Sequence, residues 1–252
     1  MEKDDLLLQK RIGELAKRSY EKGIFTFTDF LDLASQDLFY QIEPKLRYAG
    51  ITIYGKEQDM DRKLVRFGDP MELGYTEEFP VSCILIEPVL EKFSESLSHR
   101  DYLGALMSLG IERSKLGDIL IKEKKAYIFC LEKIAPYLTE NVTQIRHTNV
   151  RCGVVDCGID VIRPGKERRA VLCPSARIDV VIARLYHFSR SQSMELFRAK
   201  KIFVNSRLCE NNSYQLKEED IISVRGHGKF QYQGISHETK KGKISLLLDV
   251  YI

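Results

Sequence analysis

Arg177-Ile178-Asp179-Val180-Val181-Ile182-Ala183-Arg184-Leu185 opens the stretch whose reading decides the fold. Ser189-Arg190-Ser191-Gln192, then Lys200-Lys201-Ile202-Phe203-Val204-Asn205-Ser206, and then Glu219-Asp220-Ile221-Ile222-Ser223-Val224-Arg225-Gly226-His227-Gly228-Lys229-Phe230 follow it in order. Ile178, Val181, Ile182 and Leu185 recur at three- and four-residue spacing, which puts them on one buried stripe of a helix. In a second short helix Met194 and Phe197 share a face that can close against that stripe. Ser189 with Gln192 three residues on is a capping-box pattern and fixes where this second helix begins. Its first turn is an anion site, because free N–H groups and the positive end of the helix dipole lie beside Arg190. Ile202-Phe203-Val204 running into Asn205-Ser206 reads as a strand entering a tight turn.

Two small helices, short strands, and cations at the helix starts and turns together resemble the S4 RNA-binding domain. About 55 of the 252 residues carry this likeness. The chain departs from that family's pattern twice. Lys200-Lys201 stands where a glycine usually precedes the first strand, and Asn205-Ser206 stands for Asn-Gly. Asn tolerates the left-handed conformation, so the expectation is the same fold with a tighter turn and a more basic loop.

Working outward, the net charge of +3 is unevenly placed. Residues 175–252 hold 13 Lys/Arg against 8 Asp/Glu, while residues 1–174 hold 26 against 28. A basic C-terminal third on a near-neutral body predicts one nucleic-acid surface rather than general affinity for polyanions. The longest unbroken apolar run, Ala126–Leu131, is far short of the roughly 20 residues a membrane span needs. Met1-Glu2-Lys3-Asp4-Asp5 is acidic where a secretion signal would be basic, so a soluble, cytoplasmic, monomeric protein without membrane contact is expected. Of six cysteines, Cys152 and Cys157 have the spacing of half a zinc site. Cys83, Cys130, Cys173 and Cys209 supply no second close pair, so the reading is reduced, mostly buried thiols with no metal and no cofactor.

Residues 1–74 read as a mostly helical N-terminal module. Leu8, Ile12, Leu15 and Ala16 form a helical stripe ended by Gly23. Thr26 with Asp29 signals a second helix over Phe30–Leu38, and Ile51–Tyr54 reads as a strand. Lys56–Arg66 shows no core pattern and is expected on the surface. Asp29 and Asp32 invite a catalytic reading that capping and solvation explain more cheaply.

Residues 75–165 carry a βαββαβ order: strand Val81–Glu87, helix Arg100–Leu109, strands Lys115–Ile121 and Ala126–Cys130, helix Leu131–Leu138, and strand Val150–Val155. That is the ferredoxin-like, RRM-like arrangement. Tyr127 and Phe129 alternate onto one face, where they could stack bases, although burial of that face explains them as well. Arg151–Arg169 reads as a linker in which Lys166, Arg168 and Arg169 are solvated. An α+β chain follows, with 175–252 as the S4 domain and its closing strand Ile244–Ile252.

His99-Arg100-Asp101-Tyr102-Leu103-Gly104-Ala105-Leu106, with Gly117-Asp118-Ile119, is the most pointed stretch outside the S4 region. A kinase catalytic loop fails on it, because Leu106 stands where Asn is needed and no glycine-rich loop precedes it. A pseudouridine-synthase reading fails too, since Tyr102-Leu103-Gly104 follows Asp101 in place of Thr-Ser-Gly. With Thr28-Asp29-Phe30-Leu31 and a C-terminal S4, the layout resembles the bacterial YlmH-type S4 proteins over nearly the whole chain. That resemblance implies a non-catalytic RNA-binding protein on the large ribosomal subunit, acting in translation or in rescue of stalled ribosomes. Its expected partners are structured rRNA and peptidyl-tRNA, which related S4 proteins hold on a split large subunit. The alternatives are an RNA-modifying enzyme using Asp101 or Asp118, or an interaction scaffold linked to division.

The expected RNA contacts are Arg177, Ser189, Arg190, Arg198, Lys200, Lys201, Asn205, Arg225, His227 and Lys229. Secondary contacts fall on His99 and Arg100 and, at a hairpin tip, on Lys240, Lys241 and Lys243.

Overall fold

The computed structural model describes residues 2–56, 60–156, 165–239 and 242–252. Cys157, Lys240 and Lys241 lie outside the described residues. The chain divides into two compact units, Met1–Arg163 and Pro164–Ile252. The architecture is α+β, with helices first, a ferredoxin-like sheet in the middle and the S4 fold last.

In the first unit the elements are α1 (Glu2–Lys22), β1 (Thr26–Phe27), α2 (Leu33–Ile42), β2 (Ile51–Tyr54), β3 (Leu64–Phe67), α3 (Pro70–Leu73), β4 (Val81–Pro88), α4 (His99–Ser108), β5 (Leu116–Lys122), β6 (Lys125–Leu131), α5 (Ala135–Asn141), β7 (Gln144–Ile145) and β8 (Thr148–Val155). The middle sheet has the order β5-β6-β4-β8-β7, all neighbours antiparallel. Strands β4 and β5, joined through α4, are separated by β6, which is the split βαβ expected from the sequence. Tyr102, Leu106 and Leu138 from α4 and α5 pack on one face with Ile84, Ile86 and Ile128.

The other face is also covered. Phe30, Met60 and Leu64 pack there against Cys83, Phe129 and Leu131, so Phe129 is 1% exposed and has no open face on which a base could stack. Gly117 makes this approach possible, since a Cβ there would come within 2.8 Å of the Phe30 ring.

Of Lys56–Arg66, expected on the surface, residues 57–59 lie outside the described residues and Lys56 is exposed, but Leu64, Val65 and Arg66 belong to β3, the centre of the sheet β1-β3-β2, with Leu64, Val65 and the following Phe67 essentially buried. The charges had hidden it. Arg66 is buried because its guanidinium lies 4.8 Å from the Phe25 ring and 5.2 Å from that of Phe79, and it donates to the Glu77 carbonyl at 2.6 Å. Helix α2 starts at Leu33, later than Thr26 and Asp29 predict, because the Asp32 side chain accepts from the Ser35 N–H as its N-cap. Asp29 bonds Lys115 at 2.6 Å instead.

The second unit holds β9 (Lys166–Cys173), α6 (Ile178–Leu185), α7 (Arg190–Arg198), β10 (Ile202–Val204), β11 (Arg207–Leu208), β12 (Ile221–Val224), β13 (Gly228–Glu238) and β14 (Ile244–Tyr251). Its sheet runs β11-β10-β12-β13-β14-β9. The stretch expected to be a linker is therefore in part an edge strand. β9 pairs with β14 from Cys173↔Ile244 to Lys166↔Tyr251. Period-2 alternation was obscured because the edge strand is polar at its outer end: Arg168 bonds Asp249 at 2.8 and 3.1 Å and Arg169 bonds Glu167.

Candidate nucleic-acid interface

The α6 stripe of Ile178, Val181, Ile182 and Leu185 is buried as its spacing requires. α7 meets it with Leu196 and Phe197; Met194 is only half-buried, and the Ser193 hydroxyl donates to the Asp179 carbonyl at 3.1 Å. The capping box stands as read: the Gln192 N–H donates to Ser189 Oγ (3.2 Å) and the Ser189 N–H to Gln192 Oε1 (2.8 Å).

Both helices end in the same way. After α6 the Phe188 N–H reaches back to the Ala183 carbonyl (2.9 Å), with His187 at φ +57°. After α7 the Lys200 N–H donates to Phe197 and the Lys201 N–H to Leu196, both at 3.0 Å, with Lys200 at φ +53°. This six-to-one closure places one residue in the left-handed region, a position usually given to glycine. Here a histidine and a lysine hold it. Asn205 (φ +52°) and Ser206 (φ +65°) likewise form a two-residue hairpin turn with both central residues left-handed.

The expected contact residues fall into distinct settings. Arg177 and Arg190 line an open groove of about 1150 Å³ beside α6, β9 and the start of α7. Arg198, Lys201 and His227 line a second hollow of about 540 Å³ against the other end of α7. The Arg225 N–H donates to the Lys201 carbonyl at 2.9 Å, which sets those two cationic residues side by side. Lys200 lies 3.5 Å from Glu210, both well exposed. Lys229 sits 4.4 Å from the Tyr251 ring, to which Lys166 also comes within 4.6 Å.

Besides Ser189 in its capping box, Asn205 and Arg177 are tied down by hydrogen bonds within the protein. Asn205 donates to Asp220 Oδ1 (2.8 Å) and accepts the Ile221 N–H (2.9 Å), so its amide fixes the turn. Arg177 makes a two-point bond to Asp179 at 2.9 and 3.1 Å, which raises its pKa further. The same Asp220 accepts from the Tyr214 hydroxyl at 3.0 Å, and burial together with that bond pushes the Tyr214 pKa up to about 12.

Arg184, His187 and Phe188 carry no expected RNA contact and Arg169 is read from sequence as a solvated linker residue, yet all four line the larger groove. Arg184 and His187 bracket the end of the α6 stripe, and that position was the available signal. Arg169 could not be placed without knowing that β9 exists. Phe188 borders both cavities and meets the His227 ring edge-on at 4.8 Å and Tyr186 stacked at 5.7 Å.

Among the secondary residues, His99 and Arg100 are exposed in the first turn of α4, within the other unit. Partial enclosure of the otherwise exposed His99 side chain, with Arg113 nearby, holds its pKa below the usual value. Lys243 is exposed, its N–H donating to Thr239 Oγ1 at 3.1 Å. The two carboxylates considered for catalysis have structural tasks. Asp101 completes a capping box with Ser98 and lies 3.5 Å from Arg146. Asp118 accepts the Asp61 and Arg62 N–H groups at 2.8 and 2.9 Å. Arg62 in turn donates to the carbonyls of Phe30, Arg113 and Leu116. Arg113, buried next to Arg62, has its pKa drawn down to about 10.

A capped, cation-flanked helix pair on this sheet is an S4 domain, and the chain is an RNA-binding protein of that class. The S4 domain model matches residues 176–222, and a model described as the putative RNA-binding domain in YlmH matches residues 75–157. The "Ribosome-associated protein quality control protein P2" of Bacillus subtilis (strain 168) is 32% identical over 241 residues, covering 95% of this chain and 90% of its own length. A solved structure, "Cell division protein ylmH from Streptococcus pneumoniae", aligns over 61% of this chain and 92% of its own with a TM-score of 0.47 and 20% identity. The chain belongs to the YlmH family of S4-domain proteins.

Proposed function

We propose that this protein is a non-catalytic RNA clamp that binds structured rRNA, and peptidyl-tRNA, on the large ribosomal subunit during rescue of stalled translation. In this reading it works as a cytoplasmic monomer. The observation that carries the proposal is the placement of exposed cations at both ends of α7, Arg190 at its start and Arg198, Lys200 and Lys201 at its end. A backbone of phosphates is the ligand that this spacing suits, and Arg provides two-point contacts where Lys provides point charge. The B. subtilis relative's name, a ribosome-associated quality control protein, supports the ribosomal setting. The structural tasks of Asp101 and Asp118 weigh against the modifying-enzyme alternative. No helix among the described residues is long and apolar enough to cross a membrane.

Neutralising about five phosphates makes affinity fall on the order of a thousandfold between low and moderate salt. The test is co-sedimentation with large ribosomal subunits. Replacing Arg190 and Lys201 together by Glu is expected to abolish it with the melting temperature nearly unchanged, since both side chains are exposed. Undiminished co-sedimentation of that variant refutes the assignment.

A further inference from the structure

The larger groove is unlike a surface made only for phosphates. Much of its less exposed lining is apolar, with Val171, Val180, Ala183 and Met194 half-buried, and this is its floor. Its rim carries Arg169, Arg177, Arg184 and Arg190 with His187; Asp179 engages Arg177 and the neighbouring Glu167 engages Arg169, which leaves the cations in excess. A duplex presents phosphates outward and hides its bases, so it would satisfy the rim and leave the floor facing water. Unpaired nucleotides have base faces to cover the floor and phosphates to reach the rim.

We infer that the groove between β9 and α6–α7 takes an unpaired stretch of RNA, with bases on the apolar floor, phosphates on the four arginines, and Phe188 as the stacking platform at its exit. This rests on the RNA-binding reading above and specifies the form of RNA that this part of the surface accepts. The volume of about 1150 Å³ exceeds the roughly 300–1,000 Å³ that encloses a drug-sized ligand, so it admits a short run of nucleotides rather than one base.

Phe188 supplies the continuity. It is half-buried on the Tyr186 ring, with an interplanar angle of 26°, so a base laid on its outer side extends an existing aromatic pile. Because Phe188 also borders the second hollow, a strand leaving the groove passes directly towards Arg198, Lys201 and His227. β9 lies before the S4 match at 176–222, so one wall of the groove comes from the strand appended to that domain. Preference for unpaired RNA is thus a property of the appended strand together with the helix pair.

The experiment uses the full chain and fluorescence anisotropy with three probes: a short single-stranded oligouridylate, a short RNA duplex and an acidic polyglutamate peptide. Arg184→Glu, exposed and hence tolerated by the fold, is expected to weaken the single strand about tenfold and to leave the duplex within about twofold. Phe188→Leu keeps an apolar side chain but loses the stacking face, and is expected to cost about fivefold or more on the single strand only. Lys201→Glu is expected to weaken both RNAs. Equal loss on single strand and duplex in the Arg184 variant overturns the inference, as does displacement of the single strand by polyglutamate at equal charge concentration. Duplex binding without single-strand binding sinks this inference and leaves the RNA-clamp reading standing. Binding of neither RNA sinks both.

Discussion

The helices of the two units stop differently. In the first unit α1 ends at Gly23 (φ +61°) and α4 at Gly110 (φ +77°). In the second, His187 and Lys200 occupy the same left-handed position after α6 and α7. Glycine takes this conformation without steric penalty and presents nothing to a partner. A side chain there costs about 1–2 kcal/mol but directs a cationic or titratable group outward from a fixed point of the backbone. The first unit ends its helices for stability. The second retains strain beside both of its cavities, where it fixes the position of side chains on that surface.

The largest effect that would sharpen this contrast lies in the core of the first unit. Phe129→Ala removes a ring packed between β6 and the N-terminal residues Phe30 and Leu64, and is expected to destabilise the first unit by about 3–5 kcal/mol in urea titration. A loss below about 1 kcal/mol would mean that this face of the sheet is open after all. Next comes an exchange of helix stops. Gly110→Ala has open space for its Cβ but the wrong φ, so it is expected to cost about 1 kcal/mol in urea titration while adding no charge. Lys200→Gly works the other way. Relief of about 1–2 kcal/mol is set against roughly 0.4–1 kcal/mol of added unfolded-chain entropy, so the protein is expected to gain about 0–1.5 kcal/mol while the salt slope of RNA binding drops by about one. Unchanged RNA affinity in the Lys200 variant would break the comparison.

The smallest effect is chemical. Burial pushes the Cys152 pKa up to about 11 and that of Cys130 to about 12. At pH 8 about one Cys152 in a thousand is thiolate, so alkylation by iodoacetamide is expected to lag far behind that of a free thiol and to accelerate as pH rises towards 11. Rapid labelling at pH 8 would show that the sheet opens locally.

The S4 helices were legible because several local rules agree there: a four-residue apolar stripe, a capping box and a turn-forming Asn. Where tertiary contacts overrode local pattern, legibility failed. Arg66 reads as a surface residue until Phe25 and Phe79 are found on either side of it. Met194 and Leu196 differ by two positions on α7, and only packing against α6 shows that Leu196 is the one buried. Phe129 alternates correctly with Tyr127, but no spacing rule shows that the N-terminal module covers that face. Of the candidate interface, the cations around α7 were visible from spacing. The groove was not, because its second wall is a strand whose first four residues, Lys166-Glu167-Arg168-Arg169, are all charged.

That strand also constrains how the protein is made. β14 lies between β13 and β9, and its register joins Tyr251 to Lys166. As the polypeptide emerges from its own ribosome, β9 therefore waits through the synthesis of some eighty further residues before its partner exists. An apolar strand left unpaired for so long would invite pairing with a neighbouring nascent chain. The charged start that conceals β9 from pattern reading keeps it solvated until the last strand arrives to claim it.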